Sequence, residues 1–492
     1  MVRRIRLGIP NISANSFVGT LSDDGTPKVP PYEMSAREAA GLLSQEAPQI
    51  GYRLGVIGTS LVQQNDLASS SLKISYSSRG WLRWAQVLSN NLFYCPIWWD
   101  NTVYTGWEPS GVAGTTRYFR GLNAGVSGQT FQQILDRKSY FNNIDVDIIV
   151  IDMGTNDVGS YDGNTIQNAR ETIANYYLSL GKIVILLPIL ARDTTAWASG
   201  SVSRKVANYI NSRTRTFCNS RRNCYLFDWN QAWVDMNNPT DTVPVTGNTD
   251  DGTHFIPRGA YFVGKAFAAF LATILPAAQP RTWGVDDTYD ATYNPYGNLI
   301  TNPFMYGNSG ANGTGSTGNV ANGFRSERST GGSTVVASKE VRADGRGSWQ
   351  VLTYTPSGAA VDLFYLRTST ANTTHGLANG DWVQASCVVN AAAYAWRGIT
   401  LYLADQVANS YSSYGMEPYP TATSSANNWQ STEGFQGTLT TVPFPLANGS
   451  TDVRVRLEIR FDASLGGTPV LKVGEFELRK VPNTISVINT TV

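Results

Sequence analysis

The stretch VDIIVIDMG, residues 146–154, constrains this chain more than any other. A nearly continuous apolar run of that length, closed by a glycine, fits a strand covered on both faces, where in/out alternation is no longer needed. YRLGVI (52–57) and KIVILLPIL (182–190) read the same way, and CYLFDW (224–229) adds another strand. Helical patterns separate and follow them. These are GWLRWAQVLSNNLF from Gly80, NTIQNARETIANYYLSLGK stopped by Gly181, SVSRKVANYINSRTRTFCNS, and PRGAYFVGKAFAAFLATIL with Pro257 in its first turn. Strands alternating with helices predict an α/β unit with a doubly wound parallel sheet over residues 49–278. Such sheets present their sites at the carboxyl ends of the strands.

From about residue 279 the pattern changes. Residues 279–297 form a linker rich in Pro, Gly, Asp and Tyr. Residues 298–492 carry short β-rich runs such as GSWQVLTYTPS, DVRVRLEIRFDA and VLKVGEFELRKV, separated by Gly, Asn, Ser and Pro. That is the pattern of an all-β sandwich, jelly-roll-like, with roughly eight or more strands. Residues 1–48 read as an arm or adaptor, with a short helix over Met34–Ala47 capped by Ser35.

Several functions are disfavoured at this stage. With 38 basic and 37 acidic residues the formal net charge is +1, and neither nucleic acid nor an anionic membrane suits such a balance. No apolar run is long enough to span a bilayer. The arginines of MVRRIRLGIPNIS are followed by an apolar stretch broken at Gly8 and Pro10, so no secretion signal is expected. The four cysteines, Cys95, Cys218, Cys224 and Cys387, lack zinc or redox spacing. Cys218 and Cys224 are close enough in sequence to pair, although small buried thiols are the simpler reading. No metal or cofactor is implied.

The candidate chemistry begins at GVIGTSLVQQN (55–65), where a buried strand breaks at Gly58 and at once presents Ser60. A serine there is either a turn residue or a nucleophile entering a loop before a helix. A nucleophile needs a base, and the chain has two histidines. His375 lies among turn residues of the β-rich half and reads as a surface-loop histidine. His254, in DDGTHFIPRG, has Asp251 three residues before it, a spacing that lets the carboxylate fold back onto Nδ1. A plain turn beside a structural histidine is the alternative. Acyl transfer also needs oxyanion donors. NAGVSGQT offers Gly128, whose N–H can approach a ligand closely, and IDMGTNDVG offers the Asn156 amide. Their ordinary readings are a tight turn and an Asx-turn.

Taken in order, these pieces resemble the blocks of the SGNH, or GDSL-like, hydrolases. Gly58-Thr59-Ser60-Leu61 is similar to the first block, Ser127-Gly128-Gln129-Thr130 to the second, Gly154-Thr155-Asn156-Asp157 to the third and Asp251-Gly252-Thr253-His254 to the fifth. The resemblance covers about Tyr52–Pro276. It implies a flavodoxin-like sheet, with Ser60 as nucleophile, His254 as general base and acid, and Asp251 as the orienting carboxylate. It also implies an oxyanion hole of Ser60, Gly128 and Asn156, working without metal or cofactor. Thr59 replaces the family's aspartate before the serine, and Gln129 replaces an aspartate in the second block. Both changes are expected to alter loops and leave the chemistry intact. The other serine-hydrolase signature, G-x-S-x-G, is absent.

Trp98, Trp99 and Trp107 fall between the first two blocks and offer faces for sugar rings, although core or loop packing is the commoner use of such residues. Trp429 offers another such face. A hydrolase unit of this kind joined to a sandwich resembles carbohydrate esterases. The low charge and Asn/Thr/Ser/Gly-rich composition also resemble bacteriophage tail and receptor-binding proteins. The expected partner is then an O-acetylated bacterial surface polysaccharide, with neither nucleic acid nor membrane insertion involved. A homotrimer, or attachment to other virion proteins through residues 1–48, would follow. The alternatives are a secreted carbohydrate esterase resembling acetyl xylan esterases, and a non-catalytic glycan-binding virion protein.

Overall fold

The computed structural model describes residues 4–5, 34–35, 52–67, 73–95, 97–98, 120–142, 144, 146–277, 282–358, 361–368, 377–378, 380–405, 412–417, 433–446 and 453–482. Arg4–Ile5 pairs antiparallel with Met34–Ser35, so the expected helix does not begin at Met34. The rest of that segment, to Ala47, lies outside the described residues.

The parallel sheet forms where the apolar runs place it. Tyr52–Gly58 lies beside Ile148–Ile151, then Ile183–Leu186, then Cys224–Leu226, every pair parallel. On its other side Tyr52–Gly58 pairs with Phe93–Tyr94 at its start and with Asn123–Gly125 at its end. Counting Asn123–Gly125 as the second main strand gives the flavodoxin-like order 2-1-3-4-5. Leu54, Val56 and Ile57 align with Ile148, Val150 and Ile151, all fully buried, as expected for a strand with both faces covered.

The helices fall into two groups, as double winding requires. Trp81–Leu88 packs on Pro257–Ala272, with the Trp81 ring edge-on to Phe267 at 5.2 Å and to Trp229 at 5.6 Å. Phe131–Asp136, Gly163–Ser179 and Val202–Asn219 pack side by side. All three start on side-chain caps, Val202–Asn219 through Ser201, which accepts the Arg204 N–H. Asp162 accepts the N–H groups of Asn164 and Thr165, and Thr130 forms a capping box with Gln133.

The C-terminal part is all β, and two of its sheets face one another across aromatic contacts. Phe324 meets Phe476 at 5.2 Å, and Tyr354 meets Phe461 at 5.0 Å. The eight-stranded sheet recruits two strands from the α/β part. Lys73–Ser77 pairs parallel with Ser412–Glu417, and Asp66–Leu67 pairs antiparallel with Lys73–Ser77. The two parts are further joined by an edge-on Trp84–Phe435 contact at 5.5 Å, by Asn91 Nδ2–H donating to Thr440 Oγ1 (2.8 Å), and by the Lys265–Glu433 ion pair. Gly437 fits against helix Trp81–Leu88 because a Cβ there would come within 2.5 Å of the Val87 carbonyl.

Candidate active site

The strand Tyr52–Gly58 ends on a glycine because nothing larger fits. A Cβ on Gly58 would lie 2.7 Å from Val62 and 2.8 Å from Asp152. The chain then turns at once into the short helix Ser60–Gln63, so Ser60 begins a helix where a loop was expected. At the first helical position its N–H has no intrahelical acceptor. Thr59, directly before it, is fully buried.

Ser60 Oγ lies 2.9 Å from His254 Nε2, and His254 Nδ1 lies 2.6 Å from Asp251 Oδ2. The other oxygen of Asp251 accepts the backbone N–H groups of His254 (2.7 Å) and Thr253 (2.9 Å). Desolvation pushes this carboxyl up, but the hydrogen bonds from the His254 backbone and ring and from Thr253 outweigh it and hold it at about 2. Asp251 is therefore ionised and aligned on Nδ1, leaving Nε2 to face the serine. Three residues from Gly252 to His254 suffice for this because Gly252 turns with φ +73°.

The second and third blocks meet the helix Ser60–Gln63 from the other side. Gln63 accepts the Ser127 N–H. Gly128 follows with φ +76°, a conformation that favours glycine, and its N–H has no partner among the described residues. The Asn156 amide Nδ2–H donates to the Gln129 carbonyl at 2.9 Å. Asn156 is thus anchored beside Gly128 rather than closing an Asx-turn, and one of its two amide hydrogens remains uncommitted. Asp157, fully buried, accepts the Phe131 N–H at 2.9 Å, and burial raises its carboxyl to about 6 against that bond.

Three buried groups that the sequence reading passed over hold this platform. Asp152 accepts from Thr59 N–H (3.2 Å) and Thr59 Oγ1–H (2.6 Å), so an acidic side chain does sit under the Thr59–Ser60 turn, supplied from just past the neighbouring strand. Burial raises its pKa, opposed by the Thr59 bonds and by Arg170 and Arg192. Arg137 donates to the carbonyls of Ala124 (2.6 Å) and Gly58 (3.1 Å) and to Gln129 Oε1 (2.8 Å). That gives the glutamine in the second block a structural partner. Arg170 does the same for the carbonyls of Met153 and Leu187. Asp152 carried a visible signal, a charge inside an apolar strand run. The two arginines, Arg170 within a helix and Arg137 at the end of one, carried none.

Trp98 lies in a short strand, Ile97–Trp98, that pairs antiparallel with Arg120–Gly121. Trp99, Trp107, His375 and Trp429 lie outside the described residues. Cys218 and Cys224 are buried free thiols with their sulfurs 3.6 Å apart.

Residues 56–261 match the model of the GDSL-like Lipase/Acylhydrolase family. No curated protein matches the chain. Among solved structures the chain is similar to the lipase/acylhydrolase from Enterococcus faecalis, at 16% identity over 46% of this chain and 100% of that one, with a TM-score of 0.32. It is also similar to a carbohydrate esterase family 3 protein from Talaromyces cellulolyticus, at 17% identity over 45% and 97%, TM-score 0.29. A third is the acetyl xylan esterase AlAXEase, at 17% identity over 45% and 100%, TM-score 0.31. Residues 56–261, which contain all four motif blocks, form a GDSL-like SGNH hydrolase domain.

Proposed function

We propose that this protein is a serine esterase that removes O-acetyl groups from a polysaccharide. The observation that carries the reading is the relay itself: Ser60 Oγ 2.9 Å from His254 Nε2, and His254 Nδ1 2.6 Å from an ionised Asp251. In this scheme His254 Nε2 takes the Ser60 proton as Oγ attacks the ester carbonyl. Asp251 holds the Nδ1–H tautomer and stabilises the imidazolium. The negative charge formed on the carbonyl oxygen is met by the Ser60 and Gly128 N–H groups and the free Asn156 amide hydrogen. The tetrahedral intermediate then expels the sugar oxygen, which His254 protonates, and leaves an acetyl-serine. Water, deprotonated by His254, attacks that ester and releases acetate and Ser60.

The polysaccharide substrate and the setting on a phage virion are the finer parts of this proposal. They are supported by the motif resemblance and by the low-charge, Asn/Thr/Ser/Gly-rich composition. Hydrolysis of p-nitrophenyl acetate tests the esterase reading. Ser60→Ala should reduce turnover on the order of 10⁴–10⁶-fold with the fold intact. Undiminished turnover in that variant would refute the assignment. Acetate release from a panel of O-acetylated bacterial polysaccharides tests the substrate class.

A further inference from the structure

Arg192 follows the strand Ile183–Leu186 and sits beside both catalytic loops. Its guanidinium Nη2 donates to Thr155 Oγ1 (3.0 Å), to the Thr155 carbonyl (3.3 Å) and to Asn156 Oδ1 (3.4 Å). Its plane lies over the Trp197 ring, 5.0 Å from the centroid. The next residue, Asp193, donates its backbone N–H to the Gly252 carbonyl, inside the Asp251–His254 turn (3.0 Å). Packed in this way, the guanidinium has little freedom to leave Asn156.

The amide of Asn156 has two ends, and each is claimed by a different partner. Nδ2–H is drawn to the Gln129 carbonyl, and Oδ1 accepts from a cation. A carboxamide held at both ends cannot rotate its oxygen toward the site, where it would repel a developing oxyanion. A cation on Oδ1 also polarises the amide and makes its remaining N–H a stronger donor. The charge itself lies near the place where negative charge accumulates, in surroundings partly shielded from water.

We infer that Arg192 is a positioning residue that fixes and polarises the Asn156 amide as an oxyanion donor. The inference rests on the esterase reading above, in which Asn156 faces the carbonyl oxygen. Arg192 acts through Asn156, so its loss should appear in kcat and leave KM nearly unchanged.

The test is steady-state hydrolysis of p-nitrophenyl acetate by the full chain carrying Arg192→Gln, Arg192→Lys, Asn156→Ala, or Arg192→Gln with Asn156→Ala. Removal of one oxyanion donor lowers kcat by about 10²–10³-fold, and Asn156→Ala should fall in that range. Arg192→Gln should lose about 10–100-fold in kcat, and Arg192→Lys, which keeps the charge, should recover part of it. Adding Arg192→Gln to Asn156→Ala should cost nothing further. Two results would overturn the inference: Arg192→Gln with unchanged kcat, or the same loss from Arg192→Gln with and without the Asn156 side chain. Activity surviving Ser60→Ala would instead refute the esterase reading itself, so the two failures are distinguishable.

Discussion

The loop from Thr249 to Ile256 and the strand end from Ile151 to Asp157 each bring an aspartate to the Thr59–Ser60 turn, and they treat it in opposite ways. Asp251 stands at a surface loop, its side chain half exposed, and its bonds hold the carboxyl at about 2. Asp152 is shut under the turn, where burial raises its pKa. Both accept two or more hydrogen bonds. The difference lies in which influence wins: at Asp251 the bonds from His254 and Thr253 outweigh desolvation, and at the fully buried Asp152 desolvation outweighs the Thr59 bonds. The exposed carboxylate is suited to pairing with an imidazolium that comes and goes. The buried one is suited to holding Thr59, and with it Ser60, in place.

That contrast can be broken or sharpened by substitution. The largest effect is expected for Asp251→Asn, which keeps the shape and removes the charge. It should lower kcat on p-nitrophenyl acetate on the order of 10³–10⁴-fold, and it should also lower the melting temperature near neutral pH, since Asn lacks the stabilisation that the depressed carboxyl gives. A fully active Asp251→Asn would erase the distinction. Next comes Asp152→Ala, which leaves the Thr59 N–H and hydroxyl buried without an acceptor. The expected loss is about 1–3 kcal/mol, read as a drop in melting temperature. Thr59→Val should blunt that loss, since it removes one of the stranded donors.

The smallest and most diagnostic effect is that of Asp152→Asn, whose carbonyl oxygen can still accept from Thr59. It should stay active, unlike Asp251→Asn. A carboxyl whose pKa is raised by folding makes the folded state less stable as pH rises from the ordinary carboxylate range through the raised value. Melting temperatures of Asp152→Asn relative to the parent should therefore improve steadily over that rise. For Asp251 the sign is reversed. Its depressed pKa stabilises the fold above about pH 4, and that contribution disappears as pH falls toward 2. The parent's advantage over Asp251→Asn should thus vanish in acid. Parallel pH slopes for the two variants would contradict the comparison.

How far the sequence reached follows the same physics. The strands at Tyr52, Ile148 and Ile183 were legible because burial on both faces leaves an unbroken apolar run. Asn123–Gly125 was not, since three small or polar residues look like a turn. Gly125 is required because a Cβ there would come within 2.3 Å of the Gln63 nitrogen, a contact with no local signature. The positions of Ser60, Asp251, His254, Gly128 and Asn156 were legible from the order and spacing of their motifs, with Ser60 and Asn156 at the ends of predicted strands. The replacement at Thr59 was visible too, but its partner lies 93 residues away, just past a neighbouring strand. Arg192 stayed hidden because a surface arginine and one that grips an amide look alike in a linear chain. The pairing of Lys73–Ser77 with Ser412–Glu417 was equally silent, since register between distant segments leaves little local trace.

That last pairing has a consequence for how such a molecule can be divided. A cut within the Pro- and Gly-rich connector would uncover Lys73–Ser77 as a naked edge, ready to recruit a strand from any neighbouring molecule. The α/β half is therefore no interchangeable cassette. A chimera that borrows it inherits an obligation to supply a complementary strand in the right register, and lineages that recombine at the connector would be expected to lose solubility before they lose chemistry.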